Sequence, residues 1–254
     1  MEERYHAESH AKEDWDWWHA GRRRALTALL RPFLPPAEDD GNRLSVFDLG
    51  CGTGGTGAHL VGGHRLFGCD LSRDALGFAA RRGRAGLVRA GARRLPWCDG
   101  AFDWVFCLDG LEHHQDDREV ARELRRVLKP GGRGLFTVPA FQFLWGPHDV
   151  LSHHYRRYRL GELTDCLEDV GFEVMRATYF NTFLFPVAAA VQLGRRALRG
   201  SASVEAASDL PEKEGGLVNT VLREVFAAEA HWLTRADFPF GVSAVAVVSR
   251  GERP

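Results

Sequence analysis

Apolar positions near the start of the chain fall at helical spacing. Trp15, Trp18, Ala25, Leu26, Leu29 and Phe33 recur at three- and four-residue intervals between Glu13 and Leu34, which predicts an amphipathic helix stopped by Pro35-Pro36. A turn-rich stretch, Ala37 to Asn42, follows. From Leu44 short apolar runs alternate with helical patterns. Strands are predicted at Leu44 to Asp48, Arg65 to Cys69, Gly86 to Arg89, Phe102 to Cys107 and Gly134 to Val138. Helices are predicted near Thr56 to Val61, Arg73 to Arg82 and Asp116 to Leu128, the last stopped by Lys129-Pro-Gly-Gly132. Such alternation builds an α/β fold with a parallel, doubly wound sheet, which takes its ligand at the carboxyl ends of the strands.

Beyond Val138 the rhythm breaks. Ala140 to Arg159 is rich in aromatic residues, His and Arg and has no clean period. It is followed by a predicted helix, Leu160 to Val170, and a strand, Phe172 to Tyr179. The apolar Phe180 to Leu198 predicts a helix after Pro186, and the small, polar Gly200 to Gly216 a mobile linker. Leu217, Val218, Val221, Leu222, Val225, Phe226, Trp232 and Leu233 share one broad helical face, and Gly241 to Ser249 reads as a final strand. These breaks divide the chain into an N-terminal helical cap (1–42), a core (43–139), a lid with the sixth strand (140–180), a helical insertion with linker (181–235) and a last strand (236–254) that completes the sheet.

Composition narrows the class. With 254 residues, 44% of them hydrophobic, the chain can bury a large core. A net charge of -1 gives no global pull toward nucleic acid or an anionic membrane. The basic residues are nearly all arginine, Lys12, Lys129 and Lys213 being the exceptions. The five cysteines show no CxxC spacing and read as reduced, mostly buried thiols. No apolar run approaches the ~20 residues of a spanning helix, and the polar N-terminus resembles no export signal. The expectation is a soluble cytoplasmic protein, monomer or homodimer, without membrane insertion.

The candidate chemistry begins in Val46-Phe-Asp-Leu-Gly-Cys-Gly-Thr-Gly54. A strand running into a glycine turn and then a helix lets backbone amides approach a nucleotide closely. Asp48, two residues before Gly50, would repel a pyrophosphate but attract a cationic ligand. At ~4 Å and an effective dielectric of ~20 that preference is roughly 4 kcal/mol. S-adenosylmethionine carries an ammonium and a sulfonium. Asp70, ending the next strand, is placed to accept the two ribose hydroxyls of an adenosine cofactor. The bland alternative is that Asp48 and Asp70 only cap the turns that follow them.

With Gly68-Cys-Asp-Leu-Ser72, Leu95-Pro-Trp-Cys-Asp-Gly-Ala-Phe-Asp103, Leu111-Glu-His113 and Leu128-Lys-Pro-Gly-Gly132, this stretch resembles the ordered motifs of class I S-adenosylmethionine-dependent methyltransferases. The resemblance implies a Rossmann-like, seven-stranded sheet whose last strand is antiparallel. It implies that Asp48, Gly50, Cys51, Gly52 and Gly54 hold the methionine end of S-adenosylmethionine and Asp70 the ribose. Leu71, Ala92 and Leu108 complete the expected cofactor contacts. One departure stands out: Gly91 occupies the position where similar chains carry an acid for the adenine amine, so backbone at Ala92 or apolar side chains must hold the base. That departure is also the one feature favouring a non-catalytic sensor or partner module over an enzyme.

A Trp-Trp-x-x-Gly-Arg helix and an His-Asp-x4-His-x-Arg-Arg-Tyr segment resemble a poorly characterised bacterial subgroup, extending the likeness over nearly the whole chain. The segment after the fifth strand lies over the cofactor end in this fold. It offers Trp145, His148, His153, Tyr155, Arg156, Arg157 and Tyr158 to a substrate, with Trp18 and Arg22 from the first helix. Arginines with histidines suit a carboxylate or phosphate, while Phe141, Phe143, Trp145 and Phe180 to Val191 suit an apolar body. The expected substrate is an anionic, partly apolar small molecule, a prenyl diphosphate or an aromatic or polyketide acid, of specialised or lipid and isoprenoid metabolism. Equally, the arginines could pair with Asp149, Glu162 or Asp165 in a solvated loop, and the tryptophans could be core. Glu112, His113 and His154 are the candidate proton acceptors. A metal set of His148, Asp149 and His153 or His154 matches no defined zinc spacing, and no metal is expected.

Overall fold

A computed structural model describes residues 7, 10–37, 43–82, 84, 86–198 and 216–251. Seven strands form one sheet in the order β3-β2-β1-β4-β5-β7-β6: β1 Ser45–Leu49, β2 Arg65–Asp70, β3 Leu87–Arg89, β4 Phe102–Leu108, β5 Leu128–Pro139, β6 Glu173–Phe180 and β7 Ser243–Ser249. The first five run parallel to one another, and β7 is antiparallel to both β5 and β6. This is the expected Rossmann-like α/β architecture with its reversed last strand. Between strands lie α2 Gly55–Leu60, α3 Arg73–Arg81 and α4 Asp117–Val127, and α6 Leu160–Glu168 precedes β6. Helix α1 Trp17–Leu30 comes before β1, α5 Pro147–Leu151 lies in the lid, and α7 Phe185–Leu198 and α8 Leu217–Leu233 precede β7.

The central strands are apolar on both faces because helices cover both. Val46, Phe47, Val105, Phe106, Leu135, Phe136 and Val245 to Val248 are all buried. Each such side chain other than Ala246 contributes about 1.5–3 kcal/mol on leaving water. Phe47 stacks on Phe102 with ring centroids 5.0 Å apart and meets Trp97 at 4.6 Å.

Helix α1 begins later than its apolar spacing suggests, because Asp16 caps it by accepting from Trp18 N at 3.0 Å and His19 N at 3.3 Å. Asn219 of α8 adds a second cap, accepting from Trp17 N at 2.8 Å and donating to the Trp15 carbonyl at 3.1 Å. The two helices cross closely at Gly21, where a Cβ would come within 2.4 Å of the Phe226 ring. Glu229 ties α8 to the start of the α7 region by accepting from Phe183 N at 2.7 Å.

Two local expectations change. Helix α4 ends at Val127, just before Lys129-Pro-Gly-Gly132 as expected, but these four residues lie inside β5. The strand begins opposite Phe102 at Leu128 and resumes opposite Trp104 at Arg133, so these residues form an irregularity in the ladder, with Gly131 at φ 73°. And the lid holds a short helix, α5, started by Pro147, where Asp149 accepts from Gly146 N at 2.8 Å. The linker expected at Gly200 to Gly216 lies almost wholly outside the described residues, as do residues 38–42 of the predicted turn. Among the described residues no helix is long and apolar enough to cross a membrane.

Candidate functional site

The glycine loop leaves β1 with Gly50, Gly52 and Gly54 at φ 66°, 53° and 89°, a region that side chains bearing a Cβ rarely enter. A Cβ at Gly50 or Gly52 would meet nothing within 4 Å, so the loop's outer surface is open to a ligand. Asp70 at the end of β2 braces the loop. One carboxylate oxygen accepts from Gly52 N at 2.9 Å and the other from Ser72 N at 2.8 Å. Each oxygen keeps a lone pair for a ribose hydroxyl.

Asp48 lies beneath the first turn of α2, where a Cβ on Gly57 would come within 2.2 Å of its Oδ2. Burial pushes its carboxyl up to about 7, while Arg84 and Arg22 pull the other way. Arg84 donates to the Gly54 carbonyl. The spacing of the glycines gave no sign of Glu13, yet this buried acid caps the loop. Its Oε2 accepts from Gly55 N at 3.2 Å and pairs with Arg82 at 3.3 Å. Its only sequence signal was its place ahead of an amphipathic helix. Cys51 is buried beside the loop, and Gly68 gives it room, since a Cβ there would lie 2.9 Å from its sulfur. Toward the adenine end, Leu71 is 65% exposed and Ala92 is buried. The space at Gly91 is open apart from Leu71 Cδ2, 3.8 Å from where a Cβ would stand. These residues fit S-adenosylmethionine: a cradle of bare backbone, an acid for its cationic end and an acid for its ribose.

Leu49 pairs in register with Cys107, so the turn after β4 emerges beside the glycine loop. Leu108 ends that strand, and Leu111–His113 form a single 3-10 turn. Glu112 is fully buried, and neither side-chain oxygen has a hydrogen-bond partner on another of the described residues. Burial first, and Asp109 second, push its carboxyl well above the usual range. The lid comes down on this turn through Tyr155 N, which donates to the Glu112 carbonyl at 2.7 Å. It brings His154 against His113, their rings 4.7 Å apart and nearly perpendicular. Burial, and then His154, hold His113 down at about 4, so it is neutral at physiological pH.

The predicted substrate residues divide into two groups. His148 and His153 are exposed on the lid, His148 with its ring 5.9 Å from that of His154, and Tyr155 is 61% exposed. Trp145 is half-buried. Four others make contacts within the protein itself, which for Arg157 and Trp18 are the paired arginine and core tryptophan of the alternative reading. Arg22 is buried, its guanidinium 2.9 Å from Asp109 and 2.8 Å from Thr137 Oγ1, stacked 4.7 Å over Trp18. Tyr158 is wholly buried and donates to Asp117 at 2.8 Å. Arg157 pairs with Asp149 at 2.8 Å and donates to the Ala140 carbonyl at 3.1 Å. Trp18 packs against the core. Arg156 pairs with Asp117 at 3.3 Å. It also lines, with Phe141, Phe143, Arg157, Arg159 and Glu162, a cleft of about 320 Å³. The metal set read from the lid alone does not form, because Asp149 is engaged by Arg157, Gly146 N and His154 Nδ1.

A glycine cradle with one acid at its base and a second ending the neighbouring strand, in a sheet whose seventh strand is reversed, is the arrangement that the resemblance in the sequence implied. Residues 47–136 match the family described as Methyltransferase domain, and the chain carries that domain. The O-methyltransferase resE of Aspergillus sclerotiorum is 25% identical over 157 residues, covering 56% of this chain and 60% of its own. A protein of Mycolicibacterium smegmatis described as a probable S-adenosylmethionine-dependent methyltransferase is 34% identical over 134 residues, 51% of this chain and 52% of its own. The chain thus spans about half the length of these curated relatives. Among solved structures, a chain of the complex between the Haloferax volcanii Trm112 methyltransferase activator and a methyltransferase superposes with a TM-score of 0.62 at 20% identity, covering 98% of this chain and 96% of its own.

Proposed function

We propose that this protein is an S-adenosylmethionine-dependent O-methyltransferase acting on an anionic, partly apolar small molecule of the aromatic or polyketide acid or prenyl diphosphate type. The observation that carries the reading is the pairing of β1 with β4, which sets the glycine loop beside the Glu112, His113 and His154 cluster. When bound, S-adenosylmethionine supplies a methyl group already activated on a sulfonium, so positioning is the main task left to the protein. Asp48 and the loop hold the cationic end, and Asp70 orients the ribose. The cluster receives the acceptor oxygen, and its buried carboxyl and imidazoles favour loss of the hydroxyl proton. Oxygen as acceptor is supported by the likeness to an O-methyltransferase. An anionic group is supported by Arg156 and Arg159 on the cleft that Phe141 and Phe143 also line.

The test is turnover. Purified protein with methyl-labelled donor should label hydroxylated aromatic acids, polyketide acids or prenyl diphosphates. His154→Ala should lose at least about tenfold in kcat while binding the donor normally, the loss typical when a positioned acid or base is removed being about 10²–10⁴-fold. Unchanged turnover in His154→Ala and Glu112→Gln together would refute the placement of the acceptor. Donor binding that survives Asp48→Ala would refute the loop assignment.

A further inference from the structure

Glu112 stands out among the described residues, for both of its buried carboxyl oxygens lack a partner on another residue. A carboxyl removed from water and given no hydrogen-bond partner costs free energy that most folds avoid. The groups around it are arranged to use it. One ligand atom each from Glu112, His113 and His154 lie within 4.8 Å of one another. Each imidazole is anchored from behind. His154 Nδ1 lies 2.9 Å from Asp149 Oδ1, which leaves Nε2 as its free donor atom, and His113 bonds to the backbone of Ser152. Asp149 is itself fixed by Arg157 Nε and Gly146 N, each at 2.8 Å. A carboxylate behind an imidazole sets its tautomer and orientation, the outer arrangement that metal-binding histidines use. Two imidazoles with one carboxylate suit a first-row divalent ion and leave coordination positions open.

We propose that Glu112, His113 and His154 bind a single divalent transition-metal ion, with Asp149 as the positioning residue for His154. The metal site itself stands on this geometry; only the role of the ion rests on the O-methyltransferase reading. In that role an open position takes the acceptor hydroxyl. The hydroxyl proton leaves to solvent, the oxygen electron pair forms the new bond to the methyl carbon, and the pair of the broken S–CH3 bond stays on sulfur. With an ion bound, the cluster would favour loss of the hydroxyl proton through the charge of the ion, in place of direct proton transfer to its side chains. They set the charge and position of the oxygen.

The experiment is a calorimetric titration of the chelator-treated full-length protein with Zn(II) and, separately, Mn(II), with native mass spectrometry for stoichiometry. The expected result is one ion per chain. Affinity should fall by about 10–100-fold in Asp149→Asn and by more in His154→Ala and Glu112→Gln, while His114→Ala binds as the unchanged protein does. Circular dichroism and melting on each variant separate a lost ligand from a lost fold. Failure of both ions to bind at about 1 mM, or equal binding in Glu112→Gln and His154→Ala, would overturn the site. S-adenosylmethionine is titrated into the same preparations. Metal binding without donor binding would refute the methyltransferase reading alone, and donor binding without metal binding would refute the metal site alone.

Discussion

Asp149 Oδ1 lies 2.9 Å from His154 Nδ1 and accepts from Arg157 Nε at 2.8 Å. One buried oxygen thus fixes both the imidazole of His154 and the guanidinium of Arg157. Burial alone would raise this carboxyl, but the hydrogen bonds from His154 and Arg157 outweigh it and hold the group at about 2.

Replacing Asp149 with Asn should therefore act on His154 without moving the donor site. Because the variant releases the imidazole from its fixed tautomer, kcat should fall about 10–100-fold, with donor affinity within about twofold. Steady-state kinetics beside donor calorimetry distinguish this from collapse of the lid, which would raise KM for the acceptor as well.

Asp48 links the donor site to pH. Its carboxyl, raised by burial to about 7 from an unfolded value near 3.9, stabilises the fold while protonated. That contribution is complete below about pH 4 and is lost as pH rises through about 7. A cationic donor selects the carboxylate. Binding at about pH 6 should release a proton, and affinity should rise as pH passes 7. Heats measured in two buffers of different ionisation enthalpy must then differ; equal heats would argue that Asp48 does not change ionisation on binding.

Gly57→Ala separates stability from binding. The new methyl would stand 2.2 Å from Asp48 Oδ2, so the carboxylate must shift. Donor affinity should drop at least tenfold, about 1.4 kcal/mol. Alanine's better helix propensity, roughly 1 kcal/mol, offsets part of the strain in the melting temperature. A thermal shift with little change beside weakened donor binding is the expected pair of results.

Arg22→Met removes the guanidinium that bridges Asp109 and Thr137. Since Asp109 is partly exposed, the cost should fall below that of a fully buried pair, about 2–3 kcal/mol, or a melting temperature lower by roughly 5–10 °C. Adding Asp109→Asn should restore part of it. A double variant no better than the single one would show that the pair is not coupled.

Glu229→Gln keeps an acceptor for Phe183 N but cannot ionise. Burial raises the Glu229 carboxyl to about 7, so the native protein gives up this stabilisation as pH rises through that value. The variant should lose less stability than the parent between about pH 6 and pH 8 in parallel denaturation curves.

The sheet was legible because its strands are short apolar runs set between helical patterns, and Asp48, the glycines and Asp70 sit at strand ends that local sequence already marks. What local pattern cannot carry is the partner of a side chain far away in sequence. Arg22 and Tyr158 look like anion and ring contacts, yet their partners, Asp109 and Asp117, are 87 and 41 residues distant and claim them. Helix α5 has five residues, too few for a period to show; Pro147 at its start with Asp149 two residues on was the available signal. The lid's His and Asp residues did invite thoughts of a metal. Only the fold reveals that Asp149 stands behind His154 while Glu112 and His113 come from the turn after β4.

Tyr155 N, bonded to the Glu112 carbonyl, makes the lid and the turn after β4 one continuous piece of backbone framework. Any movement of the lid at Tyr155 must therefore either break this bond or move the backbone of Glu112 with it. The side chains of His153 and Tyr155, both exposed, can vary without disturbing that backbone bond, which is made by an amide and a carbonyl alone.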